Sequence, residues 1–206
     1  MAVTNLDALD ALETLYHGQA KPEAWRPVLP YDIVTRRQVE GQQPALIAEH
    51  FAPSKVLDYG CGNGYLVAFL AELGLDVVGY DPSPGQVPPY VRHLVTTDAP
   101  KPGQASYDLV ICREVLEHVP VREIPALVAT LCALSSRYLY VTTRFAKTPA
   151  HFLSVDTADE LDPTHVSMLN KDFLRLLFTL QGFKRQSALE DALDWQSKGR
   201  VLVYAR

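Results

Sequence analysis

The sequence predicts an α/β fold with a mostly parallel sheet, and three observations carry that expectation. Short apolar runs alternate with stretches of helical period from about residue 55 onward, the pattern of strands joined by crossover helices. Tyr107–Cys112 is nearly all apolar, as a strand covered on both faces must be. Residues 56–64 read Val-Leu-Asp-Tyr-Gly-Cys-Gly-Asn-Gly, a strand that ends in an acid and turns on alternate glycines into a helix.

In chain order, residues 5–17 and roughly 37–51 are predicted helices, joined by a stretch that holds Pro22, Pro27 and Pro30. Lys55–Asp58 is the first strand, Tyr65–Leu73 a helix and Asp76–Asp81 the second strand. A loop with Pro82, Pro84, Pro88 and Pro89 leads to a third strand over His93–Thr96, and Tyr107–Cys112 is the fourth. Over residues 121–135 the apolar positions Ile124, Leu127, Val128, Leu131 and Leu134 recur at helical spacing. Arg137–Thr143 is the fifth strand. Residues 144–168 carry no periodicity, which marks a substrate or lid segment. Lys171–Leu180 is a helix. Phe183–Leu189 and Arg200–Tyr204 are strands joined by a turn over Asp191–Lys198, giving a seven-stranded sheet with an antiparallel edge hairpin and helices on both faces.

The 206 residues, 48% of them hydrophobic, fit one domain over 1–206. No apolar run approaches ~18 residues, so no membrane span is expected. Asn5–Leu15 alternates acids with leucines, an amphipathic helix and not a secretion signal. Its stripe of Leu6, Leu9, Leu12 and Leu15 packs on its own domain or on a second subunit, which leaves monomer or homodimer open. Cys61, Cys112 and Cys132 are odd in number and lack Cys-x-x-Cys spacing, so reduced thiols and a cytoplasmic location are expected. A net charge of −5 with no lysine/arginine stripe argues against a nucleic-acid partner.

The spacing Asp58-x-Gly60-x-Gly62-x-Gly64 differs from the Gly-x-Gly-x-x-Gly turn that receives a pyrophosphate. An acid at its head suits a nucleoside-like ligand bearing an amine and a positive charge. Asp81, at the end of the second strand, is placed to accept from both ribose hydroxyls. In an open α/β sheet such a ligand lies beyond the carboxyl ends of the strands, where Asp58, Asp81, Asp98 and Arg113 all fall.

On these residues the chain resembles class I S-adenosylmethionine (SAM) methyltransferases over about residues 36–143, and the resemblance implies their Rossmann-like fold and a SAM cofactor. The implied cofactor-binding set is Arg36, Asp58, Tyr59, Gly60, Gly62, Gly64, Asp81, Pro82, Asp98, Ala99 and Arg113. Within it Asp98 accepts from the adenine amine beside the Ala99 N–H, and Asp58 favours the ammonium or sulfonium end. Arg36 rather than Arg37 is preferred for the methionine end on resemblance alone.

A second constellation follows the fourth strand: Glu114, Glu117 and His118, which share a face if residues 114–118 begin a helix. Two carboxylates and an imidazole can hold a divalent cation or act as a general acid/base group; acids at a helix start also need neither explanation. The stretch resembles the Glu-x-x-Glu-His segment of ubiquinone-pathway O-methyltransferases and of metal-dependent methyltransferases acting on the terminal ribose of small RNAs. In the latter a later histidine completes a metal site, and His165 holds the comparable place here. The resemblance thus implies Glu114, Glu117, His118 and His165 as ligands of Mg²⁺ or Mn²⁺, with His118, Glu117 and His165 as the catalytic group. A cation would suit an alcohol or vicinal diol, a sugar or catechol. A diffuse similarity to methyltransferases of bacterial polysaccharides ranks a saccharide or small-molecule hydroxyl first. A metal-free enzyme on a quinol or phenol, or an N-methyltransferase, stands as the alternative; an RNA 2′-O-methyltransferase and a non-catalytic SAM-binding protein rank lower. His151 is a weaker candidate for substrate contact, and His17, His50 and His93 read as ordinary boundary residues.

Overall fold

Seven strands form one sheet in the order β3-β2-β1-β4-β5-β7-β6: β1 Lys55–Tyr59, β2 Asp76–Tyr80, β3 Val95–Thr96, β4 Tyr107–Arg113, β5 Ser135–Thr142, β6 Lys184–Arg185 and β7 Val201–Ala205. The computed structural model describes residues 33–85, 87–103, 106–145 and 165–206. β1 to β5 run parallel, and β7 lies antiparallel to both β5 and β6, so the predicted architecture holds. The order reverses between β1 and β4, and the crevice at that switch is where an open sheet takes a ligand.

The helices are α1 Ile33–Glu40, α2 Gln43–Phe51, α3 Tyr65–Glu72, α4 Ile124–Leu134, α5 Lys171–Leu180 and α6 Ser187–Leu193. The central strands alternate between two cores, as a doubly covered sheet requires. Leu109 and Ile111 pack with Ile47, Phe51, Val67, Leu70 and Leu193 from α2, α3 and α6. Val110 and Cys112 pack on the other face with Val128, Leu131, Leu174 and Phe178 from α4 and α5.

Four expectations are corrected. The single helix over 37–51 is two, broken at Gly41, which turns at φ +51° with the Trp195 indole directly over it. The third strand keeps only Val95 and Thr96, because Arg92–Leu94 winds into a 3₁₀ turn. The edge pair β6 and β7 is joined by α6 and not by a tight turn; Glu190 draws Arg185 into an ion pair at 2.7 Å and accepts from the Val203 N–H, which holds the helix over the edge. No α-helix starts at Glu114, which stands at φ +51° as a left-handed residue after β4. The predicted helix over 5–17, its apolar stripe, the proline stretch before residue 31, His17, His151 and most of the 144–168 segment lie outside the described residues.

The helix predicted at 171–180 is observed with those bounds, and its start is explained by Asn170. The Asn170 side chain accepts from the Asp172 N–H at 2.7 Å and the Phe173 N–H at 3.4 Å, satisfying donors that a helix N-terminus leaves open. Asn170→Ala is expected to lower stability by about 1 kcal/mol, read as a shift in the urea midpoint at constant slope. Among the described residues no helix is long and apolar enough to cross a membrane.

Candidate functional site

The carboxyl edge of β1, β2 and β4 gathers most of the residues singled out in the sequence. Asp58 and Tyr59 end β1, Tyr80 ends β2 beside Tyr59, and Arg113 ends β4. The Gly60 and Cys61 N–H groups both donate to the Tyr80 carbonyl, at 2.7 and 3.0 Å, which folds the glycine turn back across the tip of β2. A side chain at Gly60 would collide with Val115, so a Cβ there would push the turn off β4. Gly62 and Gly64 also take positive φ, and beside Gly62 the space is open. That opening is what a ligand laid across the turn needs.

Asp81 is buried and locked by its own backbone frame: one carboxylate oxygen accepts from the Gly62 N–H and the other from the Ser83 N–H, both at 2.9 Å. Each oxygen keeps a second lone pair for a ribose hydroxyl. Pro82 follows it on the surface, and Tyr59 packs edge-on to Tyr80 at 4.9 Å. Asp98 and Ala99 are exposed beyond β3, where the Asp98 N–H donates to Thr96 Oγ1.

Arg36 and Arg113 converge on an acid that sequence reasoning passed over. Glu40, 3% exposed, takes Arg36 at 2.6 Å and Arg113 at 2.8 Å on its two oxygens. Burial alone would raise the Glu40 pKa, but the two guanidinium groups outweigh it and hold the carboxyl below its ordinary range. Arg113 is stabilised as the cation by the same contact, against its burial. The signal was present as an Arg36-x-x-x-Glu40 pair, one helical turn apart, and only the fold adds Arg113. Arg37 points elsewhere, to Glu72 at 2.7 Å and over the Phe69 ring.

Asp58 lies behind this triad, 3% exposed. Burial pushes its pKa up to about 7; Arg113 pulls the other way, while Glu40 and Asp81 add to the rise.

Just after Arg113 in the chain the second constellation assembles, by a route different from the expected helix. A 3₁₀ turn, Leu116–His118, follows β4. The Glu117 carbonyl accepts from the N–H groups of Val166 and Ser167, at 2.9 and 3.0 Å, and this clamp sets His165 beside His118. The two imidazole centroids are 4.7 Å apart and their planes tilted by 57°. Glu117, His118 and His165 each offer a ligand atom, all within 4.8 Å of one another. Thr143 Oγ1 donates to Glu117 Oε2 at 2.7 Å, whereas Glu117 Oε1 is buried without a hydrogen-bond partner. Burial, and then the charge of Glu114, raise the Glu117 pKa well above the ordinary range.

Glu114 stands beside that trio and outside it. One of its oxygens accepts from Thr142 Oγ1 at 3.0 Å, and the other faces Arg200 at 3.6 Å. Thr142 and Glu40 are the polar residues that the sequence does not single out. Thr142 sits at the end of the predicted fifth strand, where nothing in the spacing distinguishes it.

This is the architecture of the class I SAM-dependent methyltransferases, with the acid-led glycine turn at its switch point. The family described as "Methyltransferase domain" matches residues 39–188, and the chain belongs to that family. Similar curated proteins are ubiquinone biosynthesis O-methyltransferases. That of Thiobacillus denitrificans is 30% identical over 148 residues, covering 64% of this chain and 59% of the relative. That of Ruegeria pomeroyi is 32% identical over 116 residues, covering 50% and 46%. The chain thus spans no more than about six tenths of the length of these relatives. Magnesium protoporphyrin IX methyltransferase from Synechocystis, solved with S-adenosylhomocysteine (SAH) bound, shares the fold at a TM-score of 0.64 and 21% identity, over 96% of this chain and 99% of that one.

Proposed function

We propose that this chain is a SAM-dependent O-methyltransferase that methylates a hydroxyl of a small or saccharide acceptor, with a divalent cation held by Glu117, His118 and His165 and with Glu114 at its edge. The observation that carries the second half is Glu117 Oε1, a buried carboxylate oxygen that no N–H or O–H reaches, in a carboxyl group that meets Glu114 and two imidazoles. An oxygen in that state is costly unless a proton or a cation meets it. One carboxylate with two imidazoles suits Mn²⁺ better than the oxygen-seeking Mg²⁺, and the three ligand atoms lie within 4.8 Å of one another.

Bound SAM would supply a methyl group activated on a sulfonium, and a bound cation would lower the barrier to using an aliphatic hydroxyl. The protein's part is position and exclusion of water. The glycine turn and Asp81 seat the nucleoside, with Asp98 and Ala99 on its adenine side. Arg36, Arg113 and Asp58 face the methionine end. The acceptor oxygen then forms a bond to the methyl carbon as the carbon–sulfur bond breaks, and the hydroxyl proton leaves to a base.

The runner-up is a metal-free enzyme on a quinol or phenol, and the similarity to ubiquinone O-methyltransferases favours it. There His118 or His165 takes the proton, and Glu117 with Glu114 shares one of its own. The deciding measurement is transfer of labelled methyl from SAM to sugars, catechols and simple phenols, with EDTA and with Mg²⁺ or Mn²⁺ restored. The proposed enzyme loses turnover in EDTA and recovers it with metal; unchanged turnover in EDTA removes the cation. No SAM binding by calorimetry removes the whole reading.

A further inference from the structure

A cavity of about 200 Å³ opens beside the proposed cofactor seat. It shares Arg36, Glu40 and Arg113 with the methionine end of that seat, and none of the glycine turn or Asp81 lines it. Glu114 forms its boundary toward Glu117 and the two histidines. The space therefore begins where the cofactor would end and extends as far as Glu114, the charged neighbour of Glu117, while Glu117, His118 and His165 do not line it. It is smaller than the ~300–1,000 Å³ of clefts that hold drug-sized ligands, so it suits one ring at a time.

Its far wall is built and not incidental. Trp195 donates from Nε1 to Gln43 Oε1 at 2.7 Å, and Gln43 Nε2 donates to the buried Tyr140 hydroxyl at 2.6 Å. This chain of bonds fixes the indole at the cavity wall, where an aromatic face can cover a planar or sugar ring. Asp194, also in the lining, is spent on the backbone: its oxygens accept from the Lys198 and Gly199 N–H groups at 3.0 and 2.6 Å.

The cations at the mouth are not balanced in this way. Arg200 lines the cavity about one-third exposed, and its one ion pair among the described residues, to Glu114, is 3.6 Å long and short of a hydrogen bond. Lys198, exposed in the same lining, makes no side-chain hydrogen bond or ion pair among the described residues. Arg113 and Arg36, deeper in, are spoken for by Glu40. A guanidinium and an ammonium stand at one opening of a chain whose net charge is −5.

We propose that this cavity is the acceptor pocket and that its acceptor is a single ring carrying an anionic group, a carboxylate or a phosphate, met by Arg200 and Lys198 while the ring lies against Trp195. The proposal rests on the methyltransferase reading for the word acceptor, but the ring and its charge are tested by binding alone. Two matched pairs serve as probes, 3,4-dihydroxybenzoate against catechol and phenyl phosphate against phenol, titrated calorimetrically with and without SAH. The anionic member of at least one pair is expected to bind about tenfold more tightly or better, the worth of one charge-assisted contact. Whichever pair shows it separates carboxylate from phosphate. In Arg200→Gln/Lys198→Gln the preference is expected to vanish, with the melting temperature and the heat of SAH binding unchanged. Equal binding of the charged and neutral rings, binding of neither, or a preference that survives in the double variant overturns the proposal. Absence of SAH heat overturns the methyltransferase reading instead, and the comparison of rings on the free protein still stands.

Discussion

Glu117→Gln is expected to cut turnover by about 10²–10⁴-fold while leaving the dissociation constant for SAM and the folded state intact. The substitution keeps the volume of the side chain and an oxygen to accept from Thr143, and it removes only the charge and the ionisable group. In the proposed enzyme that charge holds the cation; in the metal-free one the carboxyl supports the histidine base. Either way kcat falls and cofactor affinity does not, because the hydrogen bonds of Glu117 run to Thr143, Val166 and Ser167 and not to the glycine turn or Asp81. Stability separates the chemistry from simple disruption. Burial and Glu114 both oppose ionisation of Glu117, so a neutral amide is expected to hold or raise the melting temperature. A variant that loses turnover and melts lower would have failed by unfolding; one that turns over normally would remove Glu117 from the catalytic group.

The sheet was legible because its information is local. Strands buried on both faces announce themselves as apolar runs, and β4 and β7 were placed to within a residue at most of their ends. The acid-led glycine turn was legible for a related reason: its three positive φ values need glycine, so geometry is written directly into residue type. What escaped depended on partners remote in the chain. Arg36 and Glu40 form a pair readable within one helix, but the meaning of Glu40 comes from Arg113, which β4 delivers from the other end of the site. The sequence of α6 reads as strand and turn because Ser187–Leu193 is short, and the helix depends for its place on Arg185 and the Val203 N–H meeting Glu190. The second constellation is the instructive case. Three of its four residues converge, yet the expected i, i+3, i+4 face does not exist. Glu114 adopts a left-handed conformation, and it is a backbone clamp from Val166 and Ser167 to the Glu117 carbonyl that brings His165 to His118. Spacing alone pointed to the residues for a reason that the fold replaced.

Asp58→Asn is expected to stabilise the free protein at pH 8 by about 4 kcal/mol and to do almost nothing at pH 4. The argument is linkage. An unfolded aspartate ionises at 3.8, and burial among Arg113, Arg36, Glu40 and Asp81 lifts the folded value to about 7. The direction is upward, so the folded state binds the proton more tightly than the unfolded one. The stability that this proton confers is complete below 3.8 and is lost as pH rises through 7. A gap of roughly three pKa units corresponds to about 4 kcal/mol at 1.36 kcal/mol per unit, and asparagine carries no such loss. Urea unfolding of both proteins from pH 3 to 8 reads it as two curves that meet in acid, diverge between about 4 and 7 and run parallel above. A constant offset across that range would mean that Asp58 ionises normally. The same carboxylate should be favourable once a cationic ligand lies over the turn, since the sulfonium and ammonium of SAM supply what the empty pocket lacks. Asp58→Asn should therefore weaken SAM more than neutral-sulfur SAH, by about tenfold at pH 8 for one lost charge contact. In the wild-type protein the ratio of the two affinities should shift toward SAM as pH rises through 7. An acid kept at the head of the turn against its own folding cost is then an electrostatic preference for the charged cofactor over its spent form, and a ratio flat in pH would refute it.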